Sequence, residues 1–371
     1  MLSGMIVGVG MFAIPFSFHM AGFWLGAAEL GILALATLAI HLCYGEIVLH
    51  TKAHHRLPGY VRRYLGAHAA RVAEISLFGG FSGTLLAYLL LGGIFLHGLL
   101  KNFFIGSDPA FWSLLLVLAG GVVTFFPIRK SAVITSVMTI SLIGLLVFLI
   151  IFLAPRIVPS NLGGINAAYA FAPYGVLLFA LSGASIVPEV VLFLHGTRKR
   201  TREVIAIGSL LPAILYFLFA LVVVGTAGRS TSPDAIAGLL PFAGAAVVTL
   251  GNIIGLIAVS TAYILLNTTF QQFLRLDKGL SRRLAWSGGT FLPLALFLLG
   301  LQNFISVISV VGATAVAVDG GLIIATYHAI AHRREKSITT RDALLFGILY
   351  ALMIAGISYQ LYHFAVIYFG I

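Results

Sequence analysis

Long apolar stretches without charge alternate along this chain with short segments in which Lys and Arg collect. An α-helix needs about 20 apolar residues to cross a bilayer. The pattern predicts eleven such spans: 2–21, 23–47, 72–99, 110–126, 131–154, 167–193, 204–227, 239–272, 284–299, 304–328 and 343–369. The eighth is long, with Pro241 near its start, and the ninth is short and holds Pro293, so ten or twelve crossings stay open. The first stretch lacks a basic lead-in, and no cleavable signal peptide is expected.

Composition sharpens the picture. Of 371 residues, 60% are hydrophobic and 9% charged, against about 25% charged in a soluble domain. That excludes an ordinary soluble enzyme. The expected fold class is an all-α polytopic membrane protein. A single cysteine, Cys43, excludes an internal disulfide and a Cys-rich metal site. The pair His54-His55 lacks the further ligands of a metal site.

The net charge of +11 would suit nucleic acid, but its placement argues for a bilayer. With the N-terminus in the cytoplasm, 19 of the 22 Lys and Arg fall in the inner loops 48–71, 127–130, 194–203, 273–283 and 329–342. The outer side keeps only Lys101, Arg156 and Arg229. This is the positive-inside asymmetry. It predicts a multi-pass protein of the plasma (inner) membrane, N-terminus cytoplasmic and C-terminus outside, with lipid and not nucleic acid as partner.

Two spans carry the same interruption. The first reads GMIVGVGMFAIPF (4–16), the sixth FALSGASIVPEV (179–190). Each has a Gly followed five residues later by Pro, at Gly10/Pro15 and Gly183/Pro188. Gly weakens a helix, and Pro removes a backbone donor. Freed backbone groups are tolerated at membrane depth only where protein or water satisfies them. The breaks lie five places apart in the order of spans, an odd number, so the second copy starts from the opposite face. The chain then divides into an inverted repeat over 1–155, a second over 156–330, and an inner loop with an extra helix over 331–371. Paired interrupted spans point to a transporter's midplane site. Helix packing through Gly4 and Gly8 is the competing reading of the first break.

A broken helix exposes N–H groups and a positive dipole end on one side and carbonyls on the other. A zwitterion satisfies both, and no Lys or Arg lies mid-span to neutralise an anion. These residues point to a neutral amino acid.

Both motifs resemble the first and sixth spans of amino acid permeases of the amino acid–polyamine–organocation superfamily. The closest look is to the amino acid/auxin permease branch, with the aromatic amino acid permeases next. The resemblance implies a LeuT-like fold of five-plus-five inverted repeats and alternating access. It implies that Gly8, Val9, Gly10, Met11 and Phe12 hold the substrate carboxylate, and Leu181, Ser182, Gly183 and Ala184 its amino group. The third span should face the substrate side chain through the run Gly79-Gly80-Phe81-Ser82-Gly83, with Ser82 in it, and through Tyr88. Close packing of that run, and of Tyr88, is the bland alternative. The sequence enters its first span almost at once, and by the resemblance this leaves out a preceding tail and an inner gate it would supply.

No cofactor is expected beyond a co-transported cation, H⁺ or Na⁺. For sodium, the resemblance pairs hydroxyls of the eighth span, Ser260 and Thr261, with the carbonyls of Gly4 and Val7. For protons, Glu189 directly follows the sixth break, and burial would favour its neutral form. The fifth span carries no Lys in place of sodium. Asp319, among Gly312, Gly320 and Gly321, is a candidate for the inner pathway. Glu29, Glu46, His41 and His97 are the remaining ionisable groups within spans. Glu46 is expected to pair with basic loop residues, and a lone His to be structural.

The expected function is secondary active transport of neutral, hydrophobic or aromatic amino acids. Two alternatives stay open: a carrier of another small zwitterion or amine, and an intramembrane enzyme, acyltransferase-like, using His41. No HExxH motif, aspartate pair or mid-span Lys supports other intramembrane enzymes. A channel would show a repeated filter or charge ring, which two inverted breaks do not resemble.

Overall fold

The computed structural model describes residues 2–51, 55–104, 106–126, 132–194, 197–333 and 340–369. Among them the chain forms helices and no strand. Eleven spans follow in the expected order. The first is Leu2–Ile6, a 3₁₀ turn Val9–Ala13 and Ile14–Ala21. Phe23–His50, Ala67–Leu100, Pro109–Phe125 and Ala132–Leu153 make the second to fifth. The sixth is Ala172–Ala180, a 3₁₀ turn Ala184–Ile186 and Val187–Phe193. Arg198–Ala227, Leu240–Gln272 and Arg282–Leu298 are the seventh to ninth. The tenth joins Phe304–Val311, a π-helical turn Gly312–Val316 and Ala317–Arg333, and Thr340–Phe369 is the eleventh. Among the described residues, seven helices are long and apolar enough on their own to cross a bilayer, and Val9–Ala21, Pro109–Phe125 and Phe346–Tyr362 are shorter apolar helices.

Local chemistry sets the ends. Asp108, Ser281 and Asn303 cap the fourth, ninth and tenth spans by accepting from Phe111, Leu284 and Ser306 backbone N–H groups. The long eighth span is kinked at Gly244, whose φ of 81° suits Gly. Pro293 lies inside the ninth helix.

Each of the first four spans packs on the span five places later: Ile14–Ala21 on Ala172–Ala180, Phe23–His50 on Arg198–Ala227, Ala67–Leu100 on Leu240–Gln272, and Pro109–Phe125 on Arg282–Leu298.

Basic segments meet on one face. Glu46 accepts from Arg198 and Arg202, each at 2.9 Å, as expected of it. Arg56 pairs with Asp277 at 2.7 Å, and Glu74 is shared by Arg62 and Lys278. These pairs gather segments 48–71, 194–203 and 273–283 on the same side. The expected inner loop 127–130, His54 and residues 334–339 lie outside the described residues.

Candidate transport site

The two breaks share an order of elements, though Gly8 is extended and Gly183, at ψ 3°, is not. The first helix stops at Ile6, and Gly8 is extended at φ −142°, ψ −160°. The sixth stops at Ala180, and Gly183 lies at φ −139°. A 3₁₀ turn follows in each, and Pro15 and Pro188 then occupy the first turn of the second half-helix. The prolines therefore start helices, where their missing N–H is harmless.

The breaks touch each other. A Cβ on Gly10 would fall 2.9 Å from the Ala180 Cα, and one on Gly183 2.7 Å from the Ile6 Cγ1. Seventh-span Tyr216 joins them: its hydroxyl donates to the Ile6 carbonyl at 2.6 Å and lies 3.3 Å from the Ala180 carbonyl. Second-span His41 serves the sixth break. Its Nε2 accepts from the Gly183 N–H at 3.3 Å, so Nδ1 carries the proton and faces the Ser209 hydroxyl at 2.9 Å. His41 is thus structural, with both ring nitrogens engaged.

Three cavities adjoin at the breaks. A vestibule of about 270 Å³ runs from Arg56 and His55 on the basic face past Glu189 and Ser185 to Ser182 and Asp319. A central cavity of about 200 Å³ lies between Gly8, Val9, Gly10, Ser182, Tyr88 and Asp319. A side cavity of about 250 Å³ lies between Gly4, Val7, Thr139 and Thr261. Phe81 and Ser185 stand in the wall of all three. Toward the other face, Phe12 is fully buried edge-on against Phe95 at 5.0 Å. Gly175 and Gly312 bring the backbones of the sixth and tenth spans together there.

Of the residues nominated from sequence, Gly8, Val9, Gly10, Ser182 and Tyr88 line the central cavity, and Ala184 lines the vestibule. Others do not reach it. Met11 and Phe12 are packed in the core, and the Met11 N–H is turned to the Gly8 carbonyl. Leu181 is buried, and Gly183 packs on Ile6.

Ser82 is a correction. Its hydroxyl donates to its own helix at Phe78, and it faces a groove between the third, ninth and tenth spans. The reason is helical phase. Gly79, Ser82 and Gly83 share one face of the third span, while Gly80, Phe81, Thr84 and Tyr88 share the face toward the breaks. The Gly83 contact with Val311 is close packing.

In the side cavity Thr261 joins Gly4 and Val7, whereas Ser260, one position back, is not in its wall. Thr139 of the fifth span stands there instead, its hydroxyl 3.5 Å from the Gly4 carbonyl. Glu189 is exposed in the vestibule, so the burial expected of it is not there. The acid at the breaks is Asp319, half-buried, which lines vestibule and central cavity and whose Oδ1 is shut off from solvent without a hydrogen-bond partner. Sequence reasoning missed Tyr216, Ser209, Thr139 and Ser185. Tyr216, Ser209 and Thr139 are isolated polar residues in apolar spans with no motif to single them out, and Ser185 lies within the sixth-span motif but past the segment assigned to the substrate.

Residues 1–337 match the model of the tryptophan/tyrosine permease family. No curated protein matches the sequence. The fold is similar to that in the crystal structure of MhsT in complex with L-phenylalanine. The TM-score is 0.65 at 15% identity, covering 97% of this chain and 96% of that one.

Proposed function

The chain belongs to the tryptophan/tyrosine permease family, and from that membership we propose that it moves aromatic amino acids across the membrane by cation-coupled alternating access. It is a multi-pass membrane transporter, not an enzyme. Its placement beside the amino acid/auxin permease branch is part of the proposal. The observation that carries the reading is the pair of matched breaks, in mutual contact, beside a cavity that adjoins a vestibule lined by Arg56 and His55 of the basic face.

The carboxylate docks on the backbone of Gly8–Gly10, at the N-terminal end of the second half-helix. The ring extends toward Phe81, Thr84 and Tyr88. The repeats 1–155 and 156–330 rock against each other around this site, with 331–371 an addition. The Lys/Arg-rich face is cytoplasmic in a plasma-type membrane, which makes this conformation inward-facing.

Both candidate couplings keep a place. Sodium would take oxygens of Gly4, Val7 and Thr261 around the side cavity, with Thr139 in the role given to Ser260. A proton would use Glu189 on the vestibule wall. Binding of labelled tryptophan, tyrosine and phenylalanine to purified protein tests the substrate assignment. Saturable binding of at least one supports it, and binding of none overturns it.

A further inference from the structure

We infer that Asp319 of the tenth span holds the ammonium group of the transported amino acid. The inference deepens the reading of this site as an amino acid pocket and rests on it.

Register places Asp319 beside the sixth break. The sixth and tenth spans run in the same direction, with Gly312 packed on Gly175 and close to the Phe179 backbone nitrogen. Asp319 lies seven residues beyond Gly312, about 10 Å along a helix. The same advance along the sixth span from Gly175–Phe179 leads to the segment from Ser182 to Ile186. Ser182 and Asp319 accordingly share the walls of both the vestibule and the central cavity.

Among the described residues the carboxyl has no ion pair. Its Oδ1 is buried and unpartnered. Its polar partner on the third span is Ser76, whose hydroxyl is within hydrogen-bonding reach of the carboxyl and also donates to the Ala315 carbonyl at 3.0 Å. The charged or titratable groups on the walls it shares are His41 and Tyr44 from the second span, His55 and Arg56 beyond it, Tyr88 from the third and Glu189 from the sixth. Arg56, the one fixed cation among them, is held by Asp277 at 2.7 Å. A carboxylate with one oxygen shut off from water and no cation beside it is unfavourable, so we take the positive charge that completes this site to come with the ligand.

The breaks themselves leave that place open. Their carbonyls are largely engaged within the protein: Ile6 by Tyr216, Gly8 by the Met11 N–H, Phe179 by the Ser182 N–H, and Gly183 by the Ile186 N–H. Backbone oxygens with a lone pair already used are weak hosts for a full charge. A carboxylate is a strong one, through charge-assisted hydrogen bonds. In an amino acid the ammonium sits on the carbon bearing the carboxylate. A substrate anchored at Gly8–Gly10 therefore presents its ammonium to the central cavity, whose wall includes Asp319.

The test is competition against labelled tryptophan binding to the purified full-length protein. The competitors are tryptophan and indole-3-propionate, which keeps ring and carboxylate but lacks the amino group. The wild type is expected to favour tryptophan by about a hundredfold, the scale of one charged hydrogen-bonded pair. Asp319→Asn, nearly the same shape without the charge, is expected to bring the ratio within about tenfold, and Asp319→Glu to restore part of it. An Asp319→Asn protein with the wild-type ratio overturns the inference. So does loss of proton-gradient dependence with that ratio intact, which would make Asp319 a proton carrier. Equal binding of the two compounds by the wild type overturns it without any variant. A wild type that binds no aromatic amino acid brings down the transport reading itself, and is seen before any ratio is compared.

Discussion

The hydroxyl of Tyr216 donates to the carbonyl of Ile6 across 2.6 Å, where the first helix has just come apart. With the Ala180 carbonyl 3.3 Å from the same oxygen, one side chain of the seventh span serves the last helical residues before both breaks. Tyr216→Phe removes the donor and leaves a buried carbonyl short of a partner, at about 1–3 kcal/mol. The expected result is a lower Tm in detergent and weaker substrate binding with normal membrane insertion. An unchanged Tm and affinity would show that water or another group replaces the hydroxyl.

At Gly10 the first break meets the main chain of the sixth span, with the would-be Cβ 2.9 Å from the Ala180 Cα. That neighbour is main chain and cannot swing away. Gly10→Val is therefore expected to abolish uptake without stopping insertion, as read by transport alongside expression and monodispersity. Normal uptake would remove the site from this position.

Glu189 and Thr261 separate the couplings. Glu189→Gln is expected to flatten the pH dependence of uptake if protons are co-transported and to leave it unchanged otherwise. Thr261→Ala is expected to remove sodium dependence if sodium binds in the side cavity. A variant pair in which neither dependence moves would place the cation elsewhere.

Asp234 gives a stability prediction outside the spans. It is buried in the 231–236 connection and accepts from the Ala237 N–H at 3.0 Å. Burial raises its pKa above the ordinary aspartate value. A raised carboxyl binds more protons folded than unfolded, so stability falls as pH rises from the ordinary value through the raised one. Asp234→Asn keeps an acceptor without that penalty. Its Tm is expected to exceed the wild type's at neutral pH, with the difference shrinking on acidification. A lower Tm at every pH would contradict this.

Much of the fold was legible because a bilayer imposes length and charge rules that a sequence displays openly. The eleven spans and the two breaks follow from apolar runs and from Gly10/Pro15 and Gly183/Pro188. The face of a helix was not legible. Ser82 and Phe81 are neighbours in sequence, yet one looks to a groove and the other to the cavity. In a span apolar on all sides, hydrophobicity no longer marks which side is buried. Tyr216 was silent for a different reason, and the partners of His41 with it: these contacts exist only once spans distant in sequence meet.

The most direct test is uptake of labelled tryptophan, tyrosine and phenylalanine into proteoliposomes, with proton and sodium gradients imposed separately. The account predicts accumulation of at least one of them above equilibrium, driven by one of the two gradients and lost in Gly10→Val. Correctly folded, reconstituted protein that accumulates none of the three under either gradient would contradict it.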